Sequence, residues 1–293
     1  MNIKAYFQLL RPANIVTSVA DIFAGISIAG FTFSTDIDSI KTVILLSIAT
    51  KGLYGGGIVF NDVFDAELDA IERPERPIPS GKVTKTNATL WGSFWLLMGI
   101  VAAFLNSTQS GLIAIIVAIL ALVYNRFGKH HNILGPINMG LCRGGNLILG
   151  MSAVATAPAS LWWLGIIPVI YIAAITMVSR GEVHGGSQKT LYFAGFLYAF
   201  VSISQLLFAY QLGYFLFAIG FVILHIYLIF KSLITAITNP IGSNIGKAVK
   251  AGVLSLIVMD AAWVSVSGNW ILALCVLALL PFSMKLAKVF AVT

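Results

Sequence analysis

Charge is what this 293-residue sequence has least of. Only 10% of its residues are Asp, Glu, Lys or Arg, against about 25% in soluble globular chains. Hydrophobic residues make up 58% and the mean hydropathy is +0.93, which excludes a soluble globular protein and points to a polytopic membrane protein. Cysteine is also scarce: Cys142 and Cys275 both fall in apolar segments, so neither a disulfide framework nor a cysteine zinc site can be built, and both read as packing residues. No polar linker is long enough to separate folding units, so one membrane domain over residues 1–293 is expected. No cleavable signal peptide is expected, because the first apolar run is one of many and no small-residue cleavage site follows it.

Ten apolar segments can be marked, at roughly 13–33, 42–62, 88–105, 110–125, 137–157, 161–178, 191–209, 213–233, 249–267 and 270–289. Most approach the ~20 residues that cross a bilayer. All should be helical, since backbone groups in lipid must be satisfied within their own segment. Lys and Arg sort by loop: Lys4 and Arg11 at the start, Arg73, Arg76, Lys82 and Lys85 after the second segment, and Arg126 and Lys129 after the fourth. Further pairs and triplets follow the sixth and eighth segments and lie near the end, while the alternate loops hold only Lys41. The +7 formal charge therefore reports membrane orientation with both ends cytoplasmic, not a nucleic-acid partner. The alternate loops are too short for an external domain, so function is expected within the bundle or on its inner face.

Against this background, residues 61–82, NDVFDAELDAIERPERPIPSGK, hold six of the eleven acids and three of the eighteen bases. If the second segment stays helical to Asp69, then Asn61, Asp62, Asp65 and Asp69 fall within an arc of about 100°. Carboxylates clustered at a membrane boundary repel one another and need a divalent cation or a compensating base. An all-oxygen set suits Mg²⁺ better than zinc, and Mg²⁺ commonly bridges to phosphate. Prolines at 74, 77 and 79 end the helix before Pro74. The run after it supplies Arg73, Arg76 and Lys82, the cations that a diphosphate leaving group requires. A solvated charged loop is the plain alternative.

The pattern Asn61-Asp62-x-x-Asp65-x-x-x-Asp69, followed by RPxRPIPSG from Arg73 to Gly81, resembles the first signature of the UbiA superfamily of intramembrane prenyltransferases. LRPAN at Leu10–Asn14, the Tyr124–Asn125 pair and GLCRGGNLILG at Gly140–Gly150 extend the resemblance over most of the chain. The resemblance implies an all-α transmembrane bundle of nine or ten spans around a cavity that opens to the membrane. Two acidic motifs would hold Mg²⁺ on a prenyl diphosphate while an acceptor is alkylated. Carried over by position, Asn61, Asp65 and Asp69 would form the metal-binding face with Asp62 beside them. Arg143 would face the diphosphate and Asn14 would share its polar pocket. An inner-membrane location in a bacterial cell, with the active-site loops cytoplasmic, completes the expectation.

The family's second motif, two aspartates followed by Gly and Thr, meets SRGEVHGGSQKT at Ser179–Thr190 here. Glu182 can stand for one aspartate as metal ligand and catalytic acid; the other is missing. Arg180 could replace a metal's positive charge on the phosphate, and His184 could ligate metal, move a proton or simply be solvated. The SRGEVHGG run resembles the EboC-type branch of the superfamily.

Other intramembrane charges need accounts as well. Arg143, about 10 Å into its segment, should face an interior site, either a phosphate or a structural ion pair. Asp21 and Lys51, at similar depth in adjacent segments, are expected to neutralise each other. Asp260 has no evident partner. Lys129 is a candidate phosphate ligand, followed by a solvated pair, His130 and His131. The resulting expectation is Mg²⁺-dependent prenyl transfer from a polyprenyl diphosphate to a lipophilic or aromatic acceptor, with Arg76, Lys82, Lys129, Arg143 and Arg180 on the leaving group. The rivals are a non-catalytic prenyl-lipid binder and, behind it, a transporter.

Overall fold

The computed structural model describes residues 2–128, 131, 133–182 and 185–290. Among these it is all-helical. The chain opens with α1 (Ile3–Leu10), α2 (Pro12–Ile28), α3 (Ile37–Phe64), α4 (Ala66–Glu72), α5 (Lys85–Asn106) and α6 (Thr108–Val123), which runs into a π-helical turn at Tyr124–Gly128. It continues through α7 (Leu134–Met151), α8 (Ala157–Leu161), α9 (Ile166–Ser179), α10 (Gln188–Gln211), α11 (Phe215–Thr238), α12 (Gly242–Val266), α13 (Trp270–Leu277) and α14 (Leu279–Phe290).

Among the described residues, eight helical stretches are long and apolar enough to cross a membrane, and nine if α1 and α2, bent by 44° at their junction, count as one span. The bend is local chemistry: Pro12 starts α2, where its missing N–H costs nothing, and Arg11 before it takes φ +46°. The remaining apolar segment is α7. Arg143, two asparagines and five glycines lower its hydropathy below that of the other spans, and it packs among α2, α6 and α9. Hydrogen-bonded caps start several spans: Asp36 accepts from Ser39 N at 2.8 Å, Thr84 from Asn87 N at 3.2 Å and Ser107 from Ser110 N at 3.0 Å.

Helices α2 and α7 form the seam of the bundle. Ala20, Ala24 and Ile28 of α2 and Leu147 and Met151 of α7 pack with buried residues of α9 to α12. Ile22 and Ile26, with Leu149 of α7, pack instead with α3, α5 and α6. Small residues let backbones close together where lipid supplies no hydrophobic drive. A Cβ at Gly52 of α3 would lie 2.5 Å from the Trp95 carbonyl oxygen of α5, and one at Gly25 of α2 would lie 2.2 Å from the Leu147 oxygen of α7. Helix α12 is the most enclosed of the spans and the α13–α14 stretch the least. The last helix is nevertheless seated on α2, where Ser283 Oγ donates to the Ala13 oxygen at 3.0 Å.

Candidate active site

The acid-rich stretch follows α3. The helix is interrupted at Asp65 and resumes as α4. Backbone bonds from Asp65 N to Asn61 O, Asp69 N to Asp65 O and Arg73 N to Asp69 O carry the helical ladder across the break. The helix thus continues to Asp69 with a kink and stops at Glu72 ahead of Pro74, leaving Asp62 and Asp69 on one side. Arginines meet them there: Arg11 Nη2 lies 2.5 Å from Asp62 Oδ1, and Arg76 Nη1 lies 2.7 Å from Asp69 Oδ2 and 3.5 Å from Asp62 Oδ1. The compensating-base alternative is therefore realised in the structure. Among the described residues, no three His, Cys, Asp or Glu side chains converge as a metal-binding group.

Beneath this cluster lies a cavity of about 310 Å³. Arg11, Asn14, Asn61, Tyr124 and Asn125 line its acid-rich end. Apolar walls come from Leu53 and Ile58 of α3, Val117 and Ala121 of α6, Ile172 and Ile175 of α9, and Val253 and Leu256 of α12. The π-helical turn aims Asn125 across at α3, a device frequent at functional sites. Its Nδ2 donates to Gly57 O at 2.7 Å, and its Oδ1 accepts from Asn61 Nδ2 at 3.2 Å. This bond leaves the carbonyl oxygen of Asn61 unengaged.

At the far end of the cavity sit Thr17, Tyr54, Arg143 and Asn146, Tyr54 being about 10 Å along α3 from Asn61. Arg143 is 4% exposed. Its Nη1 and Nη2 donate to Thr17 Oγ1 and O, each at 3.0 Å. Its Nε lies 2.9 Å from Asp21 Oδ2 without hydrogen-bond alignment, and Nη2 lies 3.9 Å from Asp260 Oδ2. Asn146 Nδ2 donates to Asp21 Oδ2 at 2.9 Å. The guanidinium carbon of Arg143 is 5.7 Å from the centre of the Tyr54 ring.

These contacts correct the expected pairing of Asp21. Asp21 pairs with Arg143, not with Lys51, because it follows Thr17 by one turn on the α2 face toward α7; Lys51 is exposed. Of the two roles expected of Arg143, phosphate ligand or structural ion pair, the ion pair is present, and Asp260, for which no partner was evident, lies beside it.

The other expected site residues are spread out. Asn14 and Asn61 line the cavity, while Asp65, Asp69, Arg76, Lys82, Arg180 and Glu182 do not. Lys82, Arg180 and Glu182 are exposed. Glu182 lies in a loop packed on the start of α12, its Oε1 3.7 Å from where a Cβ of Gly246 would be, and the two acidic stretches do not meet as one metal group among the described residues. Lys129, His130 and His184 lie outside the described residues. His131, expected to be merely solvated, accepts from the backbone N–H groups of Ile133 and Leu134 and so caps α7. Sequence reasoning gave no role to Arg11, Tyr124 or Asn125, although the LRPAN and YN runs marked them. The GLCRGGNLILG run likewise held Asn146 without giving it a role, and Tyr54 had no signal.

An all-helical membrane protein with a carboxylate–arginine cluster at the mouth of an internal cavity is thus defined by fold and site. The chain belongs to the UbiA prenyltransferase family, whose profile matches residues 22–241. It is similar to the digeranylgeranylglyceryl phosphate synthase of Sulfurisphaera tokodaii, with 29% identity over 177 residues covering 60% of this chain and 62% of that protein. The enzyme of the same name from Methanococcus maripaludis is 32% identical over 154 residues, covering 53% of this chain and 54% of that one. The matches span between half and two thirds of these relatives' length. In structure the chain is similar to a UbiA homologue from Aeropyrum pernix, with TM-score 0.67, 16% identity, and 85% and 96% of the two chains covered. It is also similar to a UbiA homologue from Archaeoglobus fulgidus bound to GPP and Mg²⁺, with TM-score 0.62, 16% identity, and 86% and 98% covered. At such identities the likeness shows the fold. The protein is an integral membrane protein of this family.

Proposed function

We propose that the protein transfers a prenyl group from a prenyl diphosphate to a lipophilic or aromatic acceptor within the membrane, in an Mg²⁺-dependent reaction. The observation that carries this reading is the cavity itself: polar at Arg11, Asn14, Asn61, Tyr124 and Asn125, where Arg11 joins it to Asp62, and apolar along walls that suit an isoprenoid chain and exclude water. The same end of the bundle is the cytoplasmic one by the Lys and Arg distribution.

The residues at the mouth fit a hard divalent cation. Asn61 has an unengaged carbonyl oxygen, and with the carboxylates of Asp65 and Asp69 it makes an all-oxygen set. Asp62, held between two guanidinium groups, is instead the anchor of Arg11 and Arg76. When bound, Mg²⁺ would supply the charge that makes a diphosphate a leaving group. Arg76, released from Asp69, reaches the same phosphate oxygens, with Asn14 beside them and Lys82, Lys129, Arg180 and Glu182 on the neighbouring loops. The C1–O bond breaks with its electron pair leaving on the diphosphate, the acceptor atom bonds to C1, and the acceptor's proton is released. The face of Tyr54 and the apolar walls shelter the allylic cation.

The test is diphosphate release by the purified protein in nanodiscs, supplied with prenyl diphosphates and Mg²⁺. Asp65→Ala is expected to reduce release at least 100-fold with the fold intact, and EDTA to abolish it. Unchanged release in both would overturn the assignment. A second reading, a prenyl-lipid binder without catalysis, is favoured by the exposed Glu182 and its separation from the Asp-rich stretch. Glu182→Gln discriminates: an enzyme slows, whereas a binder keeps its affinity for prenyl diphosphate and releases no diphosphate in either form.

A further inference from the structure

The charge inventory of the cavity narrows the acceptor. Resting on the prenyl-transfer reading above, we propose that the acceptor is an uncharged, hydroxyl-bearing amphiphile, and that the cavity discriminates against acceptors carrying a phosphate or carboxylate.

Among the described residues, two cationic side chains line the cavity, Arg11 and Arg143, and both are already matched. Arg11 is on Asp62. Arg143 faces two carboxylates, Asp21 and Asp260, and its terminal nitrogens are bonded to Thr17. With either carboxylate ionised, no positive charge among the described lining residues is left for a third group. An anionic headgroup brought here would lose its hydration without a counter-charge in return. The diphosphate escapes this objection because it stays at the end where a divalent metal has oxygen ligands.

What the cavity does offer is neutral hydrogen bonding. The hydroxyl of Tyr124 has no hydrogen-bond partner among the described residues, and the carbonyl oxygen of Asn146 accepts none, although its amide nitrogen is engaged. Unused donors and acceptors of both kinds suit hydroxyl groups, each of which gives one hydrogen bond and accepts others.

The test compares matched probes on the full-length protein in phosphatidylcholine nanodiscs, corrected for partition into empty discs: a monoalkyl glycerol ether against the same ether phosphorylated, and 4-hydroxybenzyl alcohol against 4-hydroxybenzoate. Binding is measured with and without unreactive geranylgeranyl thiolodiphosphate and Mg²⁺. The neutral member of each pair is expected to bind at least 10-fold more tightly. Tyr124→Phe should weaken the neutral member several-fold and leave the anionic one unchanged, and Asp260→Asn, by lowering the compensation of Arg143, should narrow the gap. Equal binding, preference for the anionic member, or no binding of either neutral probe overturns the proposal. Failure of the thiolodiphosphate to bind, by contrast, overturns the prenyl-transfer reading, and the probe comparison without it still reports the preference.

Discussion

Arg11 combines backbone strain and charge at one position. It is the one non-glycine residue with positive φ among the described residues, and its side chain reaches Asp62. Left-handed backbone costs a residue with a Cβ about 1–2 kcal/mol. Arg11→Gly should therefore be more stable than Arg11→Ala by about 1 kcal/mol, measured by thermal unfolding in nanodiscs, although both lose the ion pair. Equal stabilities would mean that the bend at Pro12 does not hold this conformation. Arg143 makes the opposite case, a buried charge whose partners justify it. Arg143→Met leaves Asp21 and Asp260 without a counter-charge and should cost about 3–5 kcal/mol, seen as a large fall in unfolding temperature; a shift of a degree or two would argue that the carboxylates are satisfied otherwise. The sequence showed that Arg143 had to face inward. It could not show what it faced, because pairing with Asp21 depends on how α2 is rotated against α7.

At the scale of elements, the close passage of α3 and α5 rests on glycine. Gly52→Leu would drive a side chain into the Trp95 carbonyl and Gly99, and overpacking of this kind typically costs 1–3 kcal/mol or more. Folded yield and unfolding temperature should both drop, whereas Gly220→Leu, where nothing lies near the added Cβ, should be tolerated. At the outset of α3, the backbone N–H and hydroxyl of Ser39 hold the carboxyl of Asp36 below the usual range. A depressed carboxyl pKa means that the cap contributes fully above the unfolded value and is lost as pH falls through the folded one. Asp36→Asn should flatten the acid-side dependence of stability; an unchanged pH profile would remove the cap from consideration. The kink at Asp65 was not legible. The hydrophobic period and the prolines bounded the helix, but neither marks a single interrupted residue within it.

At the scale of the molecule, the prediction concerns metal. EDTA should abolish diphosphate release and leave the unfolding temperature almost unchanged, since the bundle is held by apolar packing and the acidic cluster already has Arg11 and Arg76 as counter-charges. A fall of many degrees on chelation would instead make the metal structural. Composition and hydrophobic runs by themselves determined that this is a helical membrane protein. The charge anomaly at Asn61–Lys82 and the motifs around it determined its family, because both signals are local and contiguous along the chain. Tertiary structure alone decided how the charges pair: Asp62 with Arg11 and Arg76, and Asp21 and Asp260 with Arg143. These partners lie 14 to 122 positions apart, and only the packing angles of α2, α7 and α12 bring the distant ones within a few ångströms. The same packing leaves no spare positive charge among the described residues that line the cavity, which is why the acceptor's character can be argued from the fold and not from the sequence.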